Sequence, residues 1–303
     1  GLLPFEGSGF EPSEIIFGGV GKTRAEIRAG LQAGVKLLNL ESAGELAIVE
    51  EEARALGVRA GIALRVNPEV HVANAHEYIA TGSRGHKFGI PWGDVPDIAA
   101  RAIASRHVEL LGLDMHVGSQ LLSLDPYRDG VARLADLART LQARGAPLRY
   151  LDAGGGLPAR YDDEDAPDLA LFAGIIVPVA TALGLELIVE PGRFVMAEAG
   201  ALLTRVLYRK ASGGTDFVIC DAGMSELLRP SHYDAYHEIE AVRPREGTAT
   251  VDVVGPICET GDFLARDRRM DDVLPGDLLA VHTTGAYGYA MAITYNSRPR
   301  VPE

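Results

Sequence analysis

A cysteine and a glutamate stand side by side in VVGPICETGD, residues 253–262, in a Gly/Pro-marked turn just after the apolar run Val251–Val254. The plain reading of Cys258 is a small buried hydrophobe, the usual role of a free thiol, with Glu259 as a solvated neighbour. The chemical reading is a titratable thiol delivered beside a carboxylate, and the rest of the chain bears on it. DMHVGSQ carries His116 and Ser119, LDAGGGLPARY carries Gly154, Gly155 and Gly156, and VEPGRF carries Glu190, Pro191, Gly192 and Arg193. Three glycines at a strand end let backbone N–H groups approach a phosphate with no side chain between, although they also suit a tight turn. Glu190 closes an apolar strand, as a solvated strand end or as the partner of a protonated ring nitrogen, whose charged form it would stabilise. His116 reads either as a satisfied core histidine or as a ring stacked on a planar cofactor. In CDAGMSELLRPSHYDAYH, Arg229 and Tyr233 lie four apart, a spacing that suits either a surface turn or a clamp on a carboxylate. GAYGYAM places Tyr287 between small residues, suiting close approach of a ligand.

These groups need strand ends to hold them. Apolar strands are expected at 15–20, 36–40, 59–66, 110–117, 148–152 and 186–190, with amphipathic helices at 23–33, 42–56, 95–105, 126–144 and 167–183. SAGE at 42–45 reads as a capping box, Ser42 capping and Glu45 reaching back. Continuous apolar strands alternating with helices imply a parallel sheet covered by helices. The strand-like runs number six, where a closed barrel of this kind needs eight. Beyond Arg193 the rhythm changes to strand runs at 201–208, 216–220, 248–254 and 277–282, separated by turns such as SGG and LPGD. This implies a second, mostly antiparallel β domain. The expected domains are residues 1–196 and 197–303.

The chain has 303 residues, 47% of them hydrophobic and 23% charged, with a net charge of −13. That balance is ordinary for a globular protein and argues against a nucleic-acid backbone or an anionic membrane as partner. There are 2 cysteines, without metal-ligand spacing. No disulfide framework follows, so a cytoplasmic setting is the default expectation.

Taken together, RVNPEV, TGSRGHKFGI, DMHVGSQ, LDAGGGL, VEPGRF, DAGMSELLRPSHYDAYH, GPICETGD and GAYGYAM…YNSRP resemble the diaminopimelate decarboxylases, fold-type III enzymes of the alanine-racemase and ornithine-decarboxylase kind. The resemblance runs from about Phe10 to Glu303. It implies a (β/α)8 TIM-type barrel followed by a β domain, pyridoxal 5'-phosphate as cofactor, an amino-acid substrate, and a homodimer with shared active sites. His116 would stack on the pyridine ring. Ser119, Gly156 and the Gly192–Arg193 backbone would hold the phosphate, Gly154, Gly155 and Pro191 would line the cofactor, and Glu190 would pair with the ring nitrogen. Arg193, Arg229 and Tyr233 would bind a substrate carboxylate, and Tyr287 would touch cofactor and substrate. Cys258 would donate the proton after CO2 leaves, and Glu259 would bind the distal amino group. Ornithine decarboxylases carry Asp after this cysteine, so Cys–Glu favours diaminopimelate. Related basic amino-acid decarboxylases, of ornithine, arginine or carboxynorspermidine type, are the alternative.

One family feature has no counterpart. The family attaches its cofactor through a Schiff-base lysine in a YAxKAN-like segment of the first barrel strand. The lysines are Lys22, Lys36, Lys87 and Lys210, and none stands in that context. With the strand count, this implies two βα units absent at the N-terminus, and YNSRPRVPE implies a shortened C-terminus. A chain limited to these residues is expected to lack decarboxylase activity, or to be a non-catalytic homologue that docks a full-length decarboxylase.

Overall fold

The fold was analysed in a computed structural model, which describes residues 9–70 and 85–302. Part of the TGSRGHKFGI motif, residues 81–84, lies outside them. The chain divides into two units. One holds residues 1–156 and 167–191, and the other residues 157–166 and 192–303.

In the first unit, strands and helices alternate as β1 (Ile16–Phe17), α1 (Arg24–Ala33), β2 (Leu37–Leu40), α2 (Ala43–Leu56), β3 (Ala60–Arg65), α3 (Val95–Ala104), β4 (Val108–Asp114), α4 (Asp125–Ala143), β5 (Tyr150–Asp152), α5 (Leu169–Leu183) and β6 (Glu186–Ile188). The strands form one 6-stranded sheet in chain order, each paired parallel to the next. This is the succession of a βα-barrel wall. Leu37, Leu38, Leu40, Ile62 and Leu64 are all buried, so these strands read as continuous apolar runs. The helices bury one stripe each: Ile27 and Leu31 on α1, Leu46, Val49 and Ala53 on α2, and Val131, Leu134, Ala138 and Leu141 on α4. Steps of three and four place those residues on one helical face. Truncating one of the buried leucines to Ala costs about 2–5 kcal/mol.

Local chemistry sets the helix starts. Thr23 accepts the Glu26 N–H while the Glu26 carboxylate accepts from Thr23 N–H at 2.9 Å, a complete capping box for α1. The expected box at Ser42 is only half made. Ser42 Oγ accepts from Glu45 N–H at 3.1 Å, but the Glu45 carboxylate accepts from Glu41 N–H at 2.7 Å and pairs with Lys22. A buried ammonium competes for that carboxylate and draws it away from the cap. Several strands are shorter than their apolar runs. The run at 15–20 keeps only β1, because Gly18 and Gly19 leave the ladder, and residues 115–117 leave β4 to form a loop.

The second unit contains α6 (Gly192–Met196), β7 (Leu202–Ser212), β8 (Thr215–Cys220), α7 (Arg229–Tyr233), β9 (Ile239–Ala241), β10 (Thr248–Val254), β11 (Phe263–Asp271) and β12 (Leu278–Val281). Its 6-stranded sheet has the order β11-β10-β8-β7-β12-β9. Only β8 and β10 pair in parallel, and the other neighbours are antiparallel. Val206, Val218, Cys220, Leu227, Val253, Leu264, Leu279 and Val281 form its core. Strands β9 and β11 were not expected from the sequence. β9 is three residues long. β11 reads FLARDRRMD, and a register shift at Asp267, with φ 47°, breaks its alternation. Among the described residues no helix is long and apolar enough to cross a membrane.

Candidate active site

In the first unit the strand ends carry a buried polar layer. Asn39 Nδ2 donates to Asp114 Oδ2 at 2.9 Å and to Asp152 Oδ2 at 3.4 Å. Asp114 and Asp152 are 3% and 2% exposed. Burial first, then the charges of Asp152 and Glu190, raise Asp114 well above the usual carboxylate range, and burial raises Asp152 too. Two acids this close and this dry do not both ionise. Arg65, at the end of β3, pairs with Glu41 at 2.9 Å, and Glu41 also accepts from Gly89 N–H at 2.9 Å.

Above this layer stand His116, the glycines and Glu190. Gly155 N–H donates to His116 Nδ1 at 3.1 Å, so the proton of the neutral ring sits on Nε2. Burial, with the Arg65 charge, pulls the imidazole down to about 4. Glu190 keeps an exposed surface while protein atoms crowd one side of it. That crowding, with the Asp152 charge, pushes its carboxyl up to about 7 against the pull of Arg65. No donor among the described residues is paired to the Glu190 carboxylate. The glycines are demanded by packing. A Cβ on Gly154, whose φ is +66°, would lie 2.3 Å from Met115 O, and one on Gly155 would lie 2.2 Å from Glu190 O.

A neutral imidazole and an acid seeking a cationic partner fit a planar cofactor with a protonated ring nitrogen, and bare backbone beside them suits a phosphate. Lys22 is already engaged by other groups. Its ammonium is engaged by Gly19 O, Asn39 O and Glu45, each at 2.7 Å, with 2% of its side chain exposed.

In the second unit, Arg193, Arg229, Tyr161, Tyr287 and His237 pack together. Arg193 Nη1 donates to Tyr161 Oη at 2.8 Å, and its guanidinium lies 4.7 Å from the Tyr287 ring centre. Arg229 lies over the Tyr161 ring at 4.2 Å. Arg193 and Arg229 are 8% and 6% exposed. Burial lowers Arg229 below the usual guanidinium value, with a smaller push from the Arg193 charge. Arg229 is therefore no surface-turn residue, and Tyr233 closes the same short helix α7. The glycines around Tyr287 serve the chain itself. A Cβ on Gly285 would lie 2.0 Å from Met196 O, and one on Gly288 would lie 2.3 Å from Thr284 O. Tyr287 itself keeps 40% of its surface exposed.

Cys258 is exposed, whereas Cys220 is buried. The small-hydrophobe role thus falls to Cys220, whose thiol burial pushes up to about 12. Glu259 is exposed beside Cys258, and its carboxylate hydrogen-bonds the Tyr295 side chain, raising that phenol. The turn is held from within by Asp262, 3% exposed. Its carboxylate accepts from Met224 N–H and Ile257 N–H, both at 2.6 Å.

The structure thus groups His116, Gly154, Gly155, Gly156 and Glu190 at strand ends of the first unit. It groups Arg193, Arg229 and Tyr287 in the second, with Cys258 and Glu259 on their own turn. Tyr161, His237 and Asp262 were not singled out from the sequence. Each closes a motif quoted above, Tyr161 in LDAGGGLPARY, His237 in SHYDAYH and Asp262 in GPICETGD, but no spacing says what the side chain meets.

Residues 5–197 match the family described as pyridoxal-dependent decarboxylase, pyridoxal binding domain. The chain is 46% identical to a diaminopimelate decarboxylase of Pseudomonas aeruginosa, over 98% of this chain and 71% of that protein. It is 44% identical to one of Neisseria meningitidis, over 98% of this chain and 73% of that protein. Among solved structures, diaminopimelate decarboxylase of Helicobacter pylori complexed with L-lysine superimposes with a TM-score of 0.93 at 41% identity, covering 97% of this chain and 73% of that one.

Proposed function

Since the chain belongs to the diaminopimelate decarboxylases, a family of pyridoxal-dependent decarboxylases, we propose that it removes CO2 from meso-2,6-diaminopimelate to give L-lysine. The observation that carries the substrate choice is the exposed Cys258–Glu259 pair, which pairs a proton donor with a carboxylate for the distal amino group. Residues 1–196 act as the cofactor part and residues 197–303 as the β part.

When bound, pyridoxal phosphate supplies an electron sink for the pair left on the substrate α-carbon as CO2 departs. Glu190, at about 7 in the absence of a partner, is poised to hold the ring nitrogen's proton. His116 is neutral and offers the ring a flat uncharged face. Ser119, Gly156 and the Gly192–Arg193 backbone hold the phosphate, with Gly154, Gly155 and Pro191 lining the cofactor. Arg193, Arg229 and Tyr233 bind a carboxylate of the substrate, with Tyr287 against substrate and cofactor. Cys258 Sγ delivers a proton to the α-carbon. Glu259 accepts the ammonium at the far end of the substrate, a group that ornithine and lysine share, and the second carboxylate, taken by Arg193, Arg229 and Tyr233, sets diaminopimelate apart.

The test is CO2 release from diaminopimelate, ornithine, arginine and lysine, measured side by side with the cofactor-loaded protein. A clear preference for diaminopimelate is expected. A preference for ornithine or arginine overturns the substrate assignment.

A further inference from the structure

His237 is buried to 0% exposure in the second unit, and the function above gives it no role. Its Nε2 lies 2.7 Å from Arg229 Nη1, and its Nδ1 lies 2.8 Å from His282 O. A guanidinium only donates, so Nε2 is the acceptor, and Nδ1 carries the proton that His282 O accepts. The tautomer is fixed from both sides. The ring cannot swing, because its edge meets Tyr161 with centroids 5.3 Å apart and planes at 80°. Arg268 Nη1 donates to the His237 carbonyl at 2.8 Å and pins the backbone as well.

The choice of acceptor is unusual. Buried guanidinium groups are ordinarily matched by a carboxylate, whose Coulomb energy offsets part of the desolvation cost. Among the described residues no carboxylate lies within ion-pair distance of Arg229, although Arg193 is close enough to repel it. Arg229 is held by an uncharged imidazole and the face of Tyr161, and its positive charge is left unneutralised.

Resting on the function proposed above, we propose that His237 is a positioning residue for Arg229, and that its neutral nitrogen aims the guanidinium while leaving its charge for the substrate carboxylate. An acid at this position would hold Arg229 equally well but would neutralise it and compete with the substrate. The imidazole stays neutral because burial, outweighing the pull of His282 O, takes it down to about 4.

His237→Gln keeps a neutral acceptor, and His237→Glu supplies a carboxylate, with His237→Asp as its shorter form. Each is compared with wild type in melting temperature, in KM and kcat for diaminopimelate, and in calorimetric affinity for L-lysine, which retains one carboxylate. The Gln variant should hold KM within about threefold, while the acidic variants should raise KM and weaken lysine binding about tenfold or more, kcat changing less. Folded Gln and Glu variants weakened equally, or an acidic variant that binds as wild type does, overturn the proposal. If neither acidic variant folds, the Gln variant decides: KM held within threefold supports the proposal, and a tenfold rise overturns it. A wild-type protein that binds neither amino acid overturns the proposed function together with this inference. Wild-type binding with indiscriminate losses in the variants overturns the inference alone.

Discussion

Cys258 has the exposure and the setting of a donor. Replacing it with Ala should cut turnover about a hundredfold or more while leaving cofactor absorbance intact, since general acids typically contribute that much. Turnover within a few-fold of wild type would remove it from the chemistry. Glu190 offers a second test at the same scale, made on the cofactor-free protein. Its folded value of about 7 lies above its ordinary 4.5, so the folded state binds the proton more tightly than the unfolded chain. Its contribution to stability is therefore fully present below about 4.5 and is lost as pH rises toward 7. Glu190→Gln should flatten that part of the melting-temperature profile and raise the melting temperature relative to wild type at pH 8. An unchanged profile would mean that the strained carboxylate lies elsewhere in the layer formed by Asp114 and Asp152.

The elements explain why the turn between β10 and β11 keeps its shape. Asp262 ties Ile257, beside the thiol, to Met224, four residues after the end of β8. Gly223 and Gly255 are bare so that its carboxylate can lie against them, and a Cβ on Gly223 would come within 2.2 Å of Asp262 Oδ1. One buried carboxylate thus joins the segment leading to Arg229 and Tyr233 to the turn carrying Cys258 and Glu259. Removing it strands two buried N–H groups. Asp262→Ala should destabilise the protein by about 2–4 kcal/mol in denaturant titration and change the alkylation rate of Cys258, with buried Cys220 as unreactive control. A loss below about 0.5 kcal/mol with unchanged alkylation would show that the turn holds without it.

For the molecule as a whole, we propose a homodimer in which Cys258 of one protomer serves the site of its partner. The exposure of the Cys258–Glu259 turn supports this, because a proton donor left in open water would not stay matched to one carbon atom. Mixing Cys258→Ala with Arg193→Ala protein should restore activity to at most about a quarter of wild type, since half the dimers are mixed and one site in each regains every group in a two-fold symmetric pair. No recovery, with subunit exchange shown by labelled protein, would place each site within one chain. The net charge of −13 sharpens the contrast with the site. Arg193 and Arg229 put two buried cations where the protein's field elsewhere favours the opposite sign, which makes that place attractive to a carboxylate.

Much of this was already determined by residue order. Apolar runs alternating with helical stripes gave a parallel βα sheet, because burial on both faces requires it. GGG, EPGR and the Cys–Glu pair marked the strand ends and the turn, since backbone clearance and reactive side chains are local properties. The tertiary structure decided what depends on partners distant in the chain. Whether Cys220 or Cys258 was the buried thiol depended on packing: Cys220 ends β8 within the core of the second unit, and Cys258 lies on an exposed turn. Whether Glu45 completed its cap depended on Lys22, and β11 emerged only through pairing with β10. The role of His237 depended on Arg229 Nη1 at one nitrogen and His282 O at the other. Spacing along a chain sets periodicity and backbone freedom, but protonation and charge balance depend on what packs around a group, and that is settled only when the chain has folded.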